Sequence, residues 1–172
     1  MQAPTYGGNS VAFQLSVTAT NSSGTLGAAG VYTTATNTTA FASSTPGAAA
    51  TGQSMIVKGR RVGPITVSGN TITLPGNVTD LASAAFVSGT TIAQLVAAQG
   101  VALNGIVNPD GQAFELENTG GANILLDGLS VLAPGVPKVR PVSASVFGQY
   151  IIGSAATGTL TVVVTPYGSA TE

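Results

Sequence analysis

Between Gln112 and Glu117 the side chains alternate: Gln112, Phe114 and Leu116 fall on one side of an extended backbone, and Ala113, Glu115 and Glu117 on the other. Successive side chains of a strand point to opposite faces, so this stretch is a half-buried antiparallel strand. Turn residues bracket it, Asn108-Pro109-Asp110-Gly111 before and Thr119-Gly120-Gly121 after. Strands Val101 to Val107, Gln112 to Asn118 and one from Asn123 are therefore expected to form a meander. The same period of two recurs at the amino end, where Val11, Phe13, Leu15, Val17 and Ala19 alternate with Ala12, Gln14, Ser16 and Thr18.

Taken in order, the rest of the chain is dominated by short strands and turn signals. Asn21 to Gly30 reads as a loose polar linker, Val31 to Thr36 as a short strand, and Thr38 to Gly52 as a long surface loop. Ser54 to Lys58 and Val62 to Val67 read as strands, with a hairpin turn at Ser68-Gly69-Asn70 returning through Thr71 to Leu74. Thr79 is a candidate N-cap for a short helix over Leu81 to Phe86, and Thr91, Ile92, Leu95 and Val96 have helical spacing that stops at Gly100. Leu129 to Leu132, an edge segment at Lys138 to Pro141, and strands over Val142 to Ile152 and Thr159 to Thr165 complete the set. Eight to ten strands, one or two short inserted helices and no fixed-period repeat predict an all-β, jelly-roll type barrel or sandwich. At 172 residues the chain is expected to be one domain, with residues 1–10 as a flexible amino-terminal segment.

Only 6% of the residues are charged, against roughly 25% in ordinary soluble domains. The surface must then be made mainly of Thr, Ser, Asn, Gln, Gly and Ala, which is easily desolvated, and a net charge of −1 supplies little self-repulsion. Such a surface suits association with copies of itself or with another protein. Disorder is excluded by a 44% hydrophobic content combined with so little charge. No apolar run reaches the ~18 to 20 residues of a spanning helix, and the amino terminus lacks the basic and apolar regions of a secretory signal.

The chain has no histidine and no cysteine, so Ser-His-Asp, Cys-His and thiolate-metal arrangements are excluded within it. Glu115 and Glu117 share a strand face, within reach of paired-carboxylate chemistry or, with Asp110 or Asp127, of an oxygen-lined cation site. Their alternation with Phe114 and Leu116 already accounts for them as a solvated or partner-facing surface. The chain is accordingly read as having no catalytic residues, cofactor or metal, and as not being an enzyme. Lys58, Arg60 and Arg61 form the main basic cluster and Lys138 and Arg140 a lesser pair. The first three are expected to bridge to Glu115 or Glu117, within the chain or across a subunit boundary, with an anionic lipid surface as the alternative contact. Five cations are too few for nucleic-acid binding by counterion release.

With this order of elements, the whole chain resembles the small single-β-barrel major capsid proteins of tailless, icosahedral, membrane-containing viruses of thermophilic bacteria and halophilic archaea. The resemblance lies in length, strand succession and the wording of Phe114-Glu115-Leu116-Glu117-Asn118-Thr119-Gly120. It implies an upright jelly roll in the virion, a larger partner capsid protein and an underlying lipid membrane, and it carries over no functional residue. An extracellular adhesive or surface-layer β module, equally rich in Thr and Asn, is the alternative. Because the linker at Asn21 to Gly30 imposes no tight turn, the strand Val11 to Ala19 is expected to pair away from its sequence neighbour. A homodimer made by exchange of that strand is the expected form of self-association.

Overall fold

The computed structural model describes residues 11–17, 22–43, 49–100, 112–154 and 158–166. The expected strand Val101 to Val107, its turn with Asp110, and the segment 1–10 lie outside these residues. The described chain is an all-β sandwich of two antiparallel sheets with two short helices. Fourteen strands, several of only three residues, occupy the space where the sequence reading counts eight to ten.

Four strands make the smaller sheet, in the order β1 (Val11–Val17), β14 (Gly158–Pro166), β9 (Gln112–Asn118) and β12 (Lys138–Arg140). The larger sheet runs β11 (Ser130–Leu132), β10 (Ile124–Leu126), β13 (Ile151–Ser154), β8 (Ala85–Thr91), β2 (Ser22–Thr33), β3 (Thr38–Ser43), β7 (Thr71–Pro75) and β6 (Thr66–Ser68). Two further strands branch from it: β4 (Ser54–Val57) pairs with β8, and β5 (Arg60–Val62) pairs with β4. As expected, β1 pairs away from its sequence neighbour: it lies against β14 in one sheet while β2 belongs to the other.

Two cores result. Leu15, Val17, Phe114, Leu116, Leu160 and Val162 of the small sheet face Ile124, Leu126, Leu132 and Ile152 of the large one. That core is closed by α1 (Ile92–Ala98) and α2 (Ala144–Gly148). A second core gathers Leu26, Phe41, Met55, Ile65, Ile72, Leu74, Leu81 and Phe86. Strand β8 serves both: Phe86 sits in the second core, and Thr91 caps α1, which packs in the first. The α1 cap is reciprocal, Thr91 Oγ1 accepting from Gln94 N and Gln94 Oε1 accepting from Thr91 N, which satisfies donors that a helix start leaves open.

Several elements depart from the sequence reading. The supposed linker Asn21 to Gly30 is mostly strand: Ser22–Thr25 pair with β8 and Gly30–Thr33 with β3, with a register shift between Leu26 and Gly30. Its glycines serve close packing there. A Cβ at Gly27 would lie 2.3 Å from Ala42 O, and one at Gly30 2.5 Å from the Phe41 ring. The expected strand Val31 to Thr36 is the end of β2, which gives way to a turn over residues 34–37 with Asn37 at φ 50°. The expected loop from Thr38 begins as β3, because Phe41 is buried and Thr39 Oγ1 both donates to Gly76 O at 2.7 Å and accepts from Val78 N at 3.1 Å. No helix forms over Leu81 to Phe86. A single 3₁₀ turn, Thr79–Leu81, is followed by Ser83 at φ 56°, and pairing of β8 on both sides overrides a helical pattern too short to persist alone. Pro64, which has no N–H to give, separates β5 from β6 where one strand was expected. Within Val142 to Ile152 the first part is α2, started by Ser143 Oγ accepting from Val146 N.

Candidate assembly surface

The charged side chains are the natural place to look for a site, and the cations are all engaged by their own chain. Lys58 Nζ donates to Asp80 O at 2.7 Å, and Arg60 pairs with Asp80 at 2.8 Å. Arg61 pairs with Asp127 at 2.6 Å and lies 5.6 Å from the centre of the Tyr150 ring. Lys138 Nζ donates to Val131 O, and Arg140 Nη2 donates to Ser130 Oγ at 2.7 Å. These are all five Lys and Arg residues of the sequence.

The expected bridges from Lys58, Arg60 and Arg61 to Glu115 or Glu117 are therefore replaced, within the chain, by contacts to Asp80 and Asp127. The reason is placement. The basic residues sit on the β4–β5 hairpin of the large sheet, whereas Glu115 and Glu117 stand on the outer face of the small one, opposite Val163 and Thr161 of β14. Asp127, in the β10–β11 turn at φ 55°, is also committed locally, its Oδ1 accepting from Ile151 N at 2.8 Å. It does not join the glutamates in a cation site, and among the described residues no three Asp or Glu side chains are grouped to hold one. Asp127→Asn keeps the acceptor for Ile151 and tolerates the left-handed backbone but sets its amide NH2 against Arg61 in place of the carboxylate oxygen, so it should lose about 1 kcal/mol; Asp127→Ala loses both partners and should lose more, about 2–4 kcal/mol. Paired urea melts measure the difference.

With the cations engaged, most of what remains for a partner is neutral surface, Glu115 and Glu117 apart. No Lys, Arg, Asp or Glu occurs before Lys58, so β1, β2, β3 and β4 are entirely uncharged. An open groove of about 560 Å³ lies over β2, β8 and β4, lined by Ile56, Phe86, Val87 and Leu129, the last 82% exposed, and also by Lys58 and Asp127. Val139 is exposed on the outer face of β12, in register with Glu115.

The strand edges differ sharply in how they are finished. β12 is three residues long, carries Lys138 and Arg140, and is bounded by Pro137 and Pro141. Lys138 covers a carbonyl of β11, and β5 presents Arg60 and Arg61. On β6, Val67 N donates to Thr51 Oγ1 at 2.9 Å, and Thr51 Oγ1 donates back to Val67 O at 3.3 Å. Short length, charge, proline and side-chain cover are the usual means of blocking edge pairing. β1 has none of them: it spans seven residues, with Ala12, Gln14 and Ser16 exposed, and no described strand lies beyond it. The edge segment expected at Lys138 to Pro141 is β12; the sequence reading did not show that β1 is the unguarded edge at the other side of the same sheet.

No protein-family model, no curated protein and no solved structure matches the chain.

Glu115 and Glu117 explain themselves as the outer side of β9, so replacing both by Gln should abolish no activity and should change stability by less than about 0.5 kcal/mol. Assays for hydrolytic turnover on both proteins, with thermal melts, check this; a turnover lost in the variant contradicts it.

Proposed function

We propose that the protein is a structural subunit that assembles through neutral β surface, and that its assembly is a viral capsid shell in which it is the small coat protein beside a larger one. One observation carries the assembly reading. All five cations are engaged by the chain's own acids, carbonyls and hydroxyls, while the exposed strand surface that remains, Glu115 and Glu117 of β9 apart, is uncharged and partly apolar. Such a surface can be dehydrated against a partner at small electrostatic cost. The capsid assignment adds to this the resemblance in strand order and in the Phe114 to Gly120 wording.

Mass spectrometry of purified virus particles and of host cell envelopes tests the assignment. The protein is expected in the particles at the abundance of a coat protein, together with a larger coat chain. Recovery from envelopes and not from particles would favour an extracellular adhesive or surface-layer module instead.

The assembly reading also fixes a salt response. Screening acts on exposed charges over ~8 Å at physiological ionic strength, and few exist here to be screened. Association measured by sedimentation should shift by less than about threefold between low and high salt. A large shift would place charged contacts at the interface.

A further inference from the structure

We infer that the edge of β1, beyond which no described strand lies, is a docking site for the β1 of a second copy of this chain, antiparallel about a two-fold axis at Gln14. The inference needs only the edge and stands whether or not the assembly is a capsid.

Hydrogen bonding fixes which residues face outward. Thr119 N donates to Thr159 O at 2.9 Å in the register that pairs Asn118 with Leu160. Because bonded and non-bonded pairs alternate in an antiparallel ladder, the odd-numbered residues of β14 face β9 and the even-numbered ones face β1. Leu160 and Val162 are thus bonded to Leu15 and Phe13. The backbone N–H and C=O groups of Ala12, Gln14 and Ser16 are left pointing away from the sheet.

Those three residues are self-complementary. With Gln14 opposite Gln14 of the partner subunit, Ala12 falls opposite Ser16 of the partner subunit and Ser16 opposite Ala12 of the partner subunit. Three bonded pairs of this kind exchange about six backbone hydrogen bonds. The same register keeps the apolar faces together. Phe13, which is only partly buried at the rim of the first core, comes opposite Leu15 of the partner subunit. Two four-stranded sheets then become one of eight strands with a continuous inner face, and no charge on β1 opposes the approach. A register displaced by one residue would set Ala12, Gln14 and Ser16 of one copy opposite residues whose backbone groups are already bonded to β14 in the other, and the bonded pairs would be lost.

A second copy also fits better than exchange of β1. The flexible linker on which exchange depended is strand β2, and only four residues, 18–21, separate β1 from it.

The test uses the full chain and two exposed positions, so the fold is not at issue. Ala12→Lys with Ser16→Lys sets like charges directly opposite each other at two places in the dimer. Ala12→Lys with Ser16→Glu sets opposite charges there. By sedimentation equilibrium the unaltered protein is expected to dimerise, the Lys/Lys pair to dissociate about tenfold more readily, and the Lys/Glu pair to recover dimerisation. A monomeric parent protein overturns the proposal. So does a Lys/Lys variant that dimerises unchanged, which would mean that β1 is exchanged or that another segment of the chain covers its edge. Weakening by both variants alike overturns the stated register.

Discussion

Phe147→Ala is expected to destabilise the protein by about 3–5 kcal/mol, and to lower Tm by roughly 10 °C for a chain of this length. Phe147 reaches from α2 into the first core and is fully buried. Its ring stacks on Phe114 of β9, with centroids 3.9 Å apart and planes within 8°, and meets Tyr150 edge-on at 6.4 Å. Truncation removes the transfer energy of a whole aromatic side chain, leaves a cavity between rigid sheets, and ends two ring contacts worth about 0.5–1.5 kcal/mol each. Since α2 is only five residues long, it holds its place through this ring more than through its own backbone bonds. Urea unfolding of the variant beside Phe147→Leu measures the effect, with the leucine change expected to lose roughly half as much. A loss under about 1 kcal/mol for the alanine variant would mean that the core refills the space.

Asn118→Ala should rank next, at about 3 kcal/mol. Asn118 is the last residue of β9 and is fully buried. Its Nδ2 donates to Ala122 O at 2.6 Å and to Leu132 O at 2.9 Å, while its Oδ1 accepts from Gly120 N at 3.0 Å. One amide thus ties the end of β9 to the following turn and to β11, in the opposite sheet. Alanine leaves those backbone groups without their partner, each at a cost of about 1–3 kcal/mol unless water reaches it. Asn118→Asp separates hydrogen bonding from size: it keeps the shape and the acceptor but surrenders both donations and buries a charge, so it should be at least as damaging. Thermal melts of the three proteins decide, and an aspartate variant as stable as the parent would contradict the assigned bonds.

Strands with clean alternation could be read directly. Val11–Val17 and Gln112–Asn118 are as the period of two places them, and the helical spacing of Ile92, Leu95 and Val96 before Gly100 marks α1, with Thr91 as its cap and not its first turn. β2 could not be read because its Ser, Gly and Ala residues carry little hydrophobic signal: Leu26 is its one large buried side chain, and its glycines Gly27 and Gly30 answer to Ala42, Phe41 and Thr39 on the next strand. α2 was hidden for the opposite reason, its Val146 and Phe147 looking like any buried strand, although Ser143 offered a cap. The partners of the basic cluster were out of reach for a third. Arg61 and Asp127 meet across 66 residues of sequence, and only the pairing of β4 with β8 and of β8 with β13 brings them together.

The small sheet joins the first strand of the described chain to the last, Val17 lying opposite Gly158. During synthesis β1 therefore emerges long before the strand that will shelter it. At ribosomal rates of 5–20 residues per second the wait is on the order of ten seconds, and throughout it the seven uncharged residues of β1 have both edges bare. The second core, made wholly of residues between Leu26 and Phe86, can close in that interval, but the first cannot. Nascent chains crowded on one message would then meet through the strand proposed above as the docking edge. The pairing of β1 with β14 within one chain then competes with that encounter.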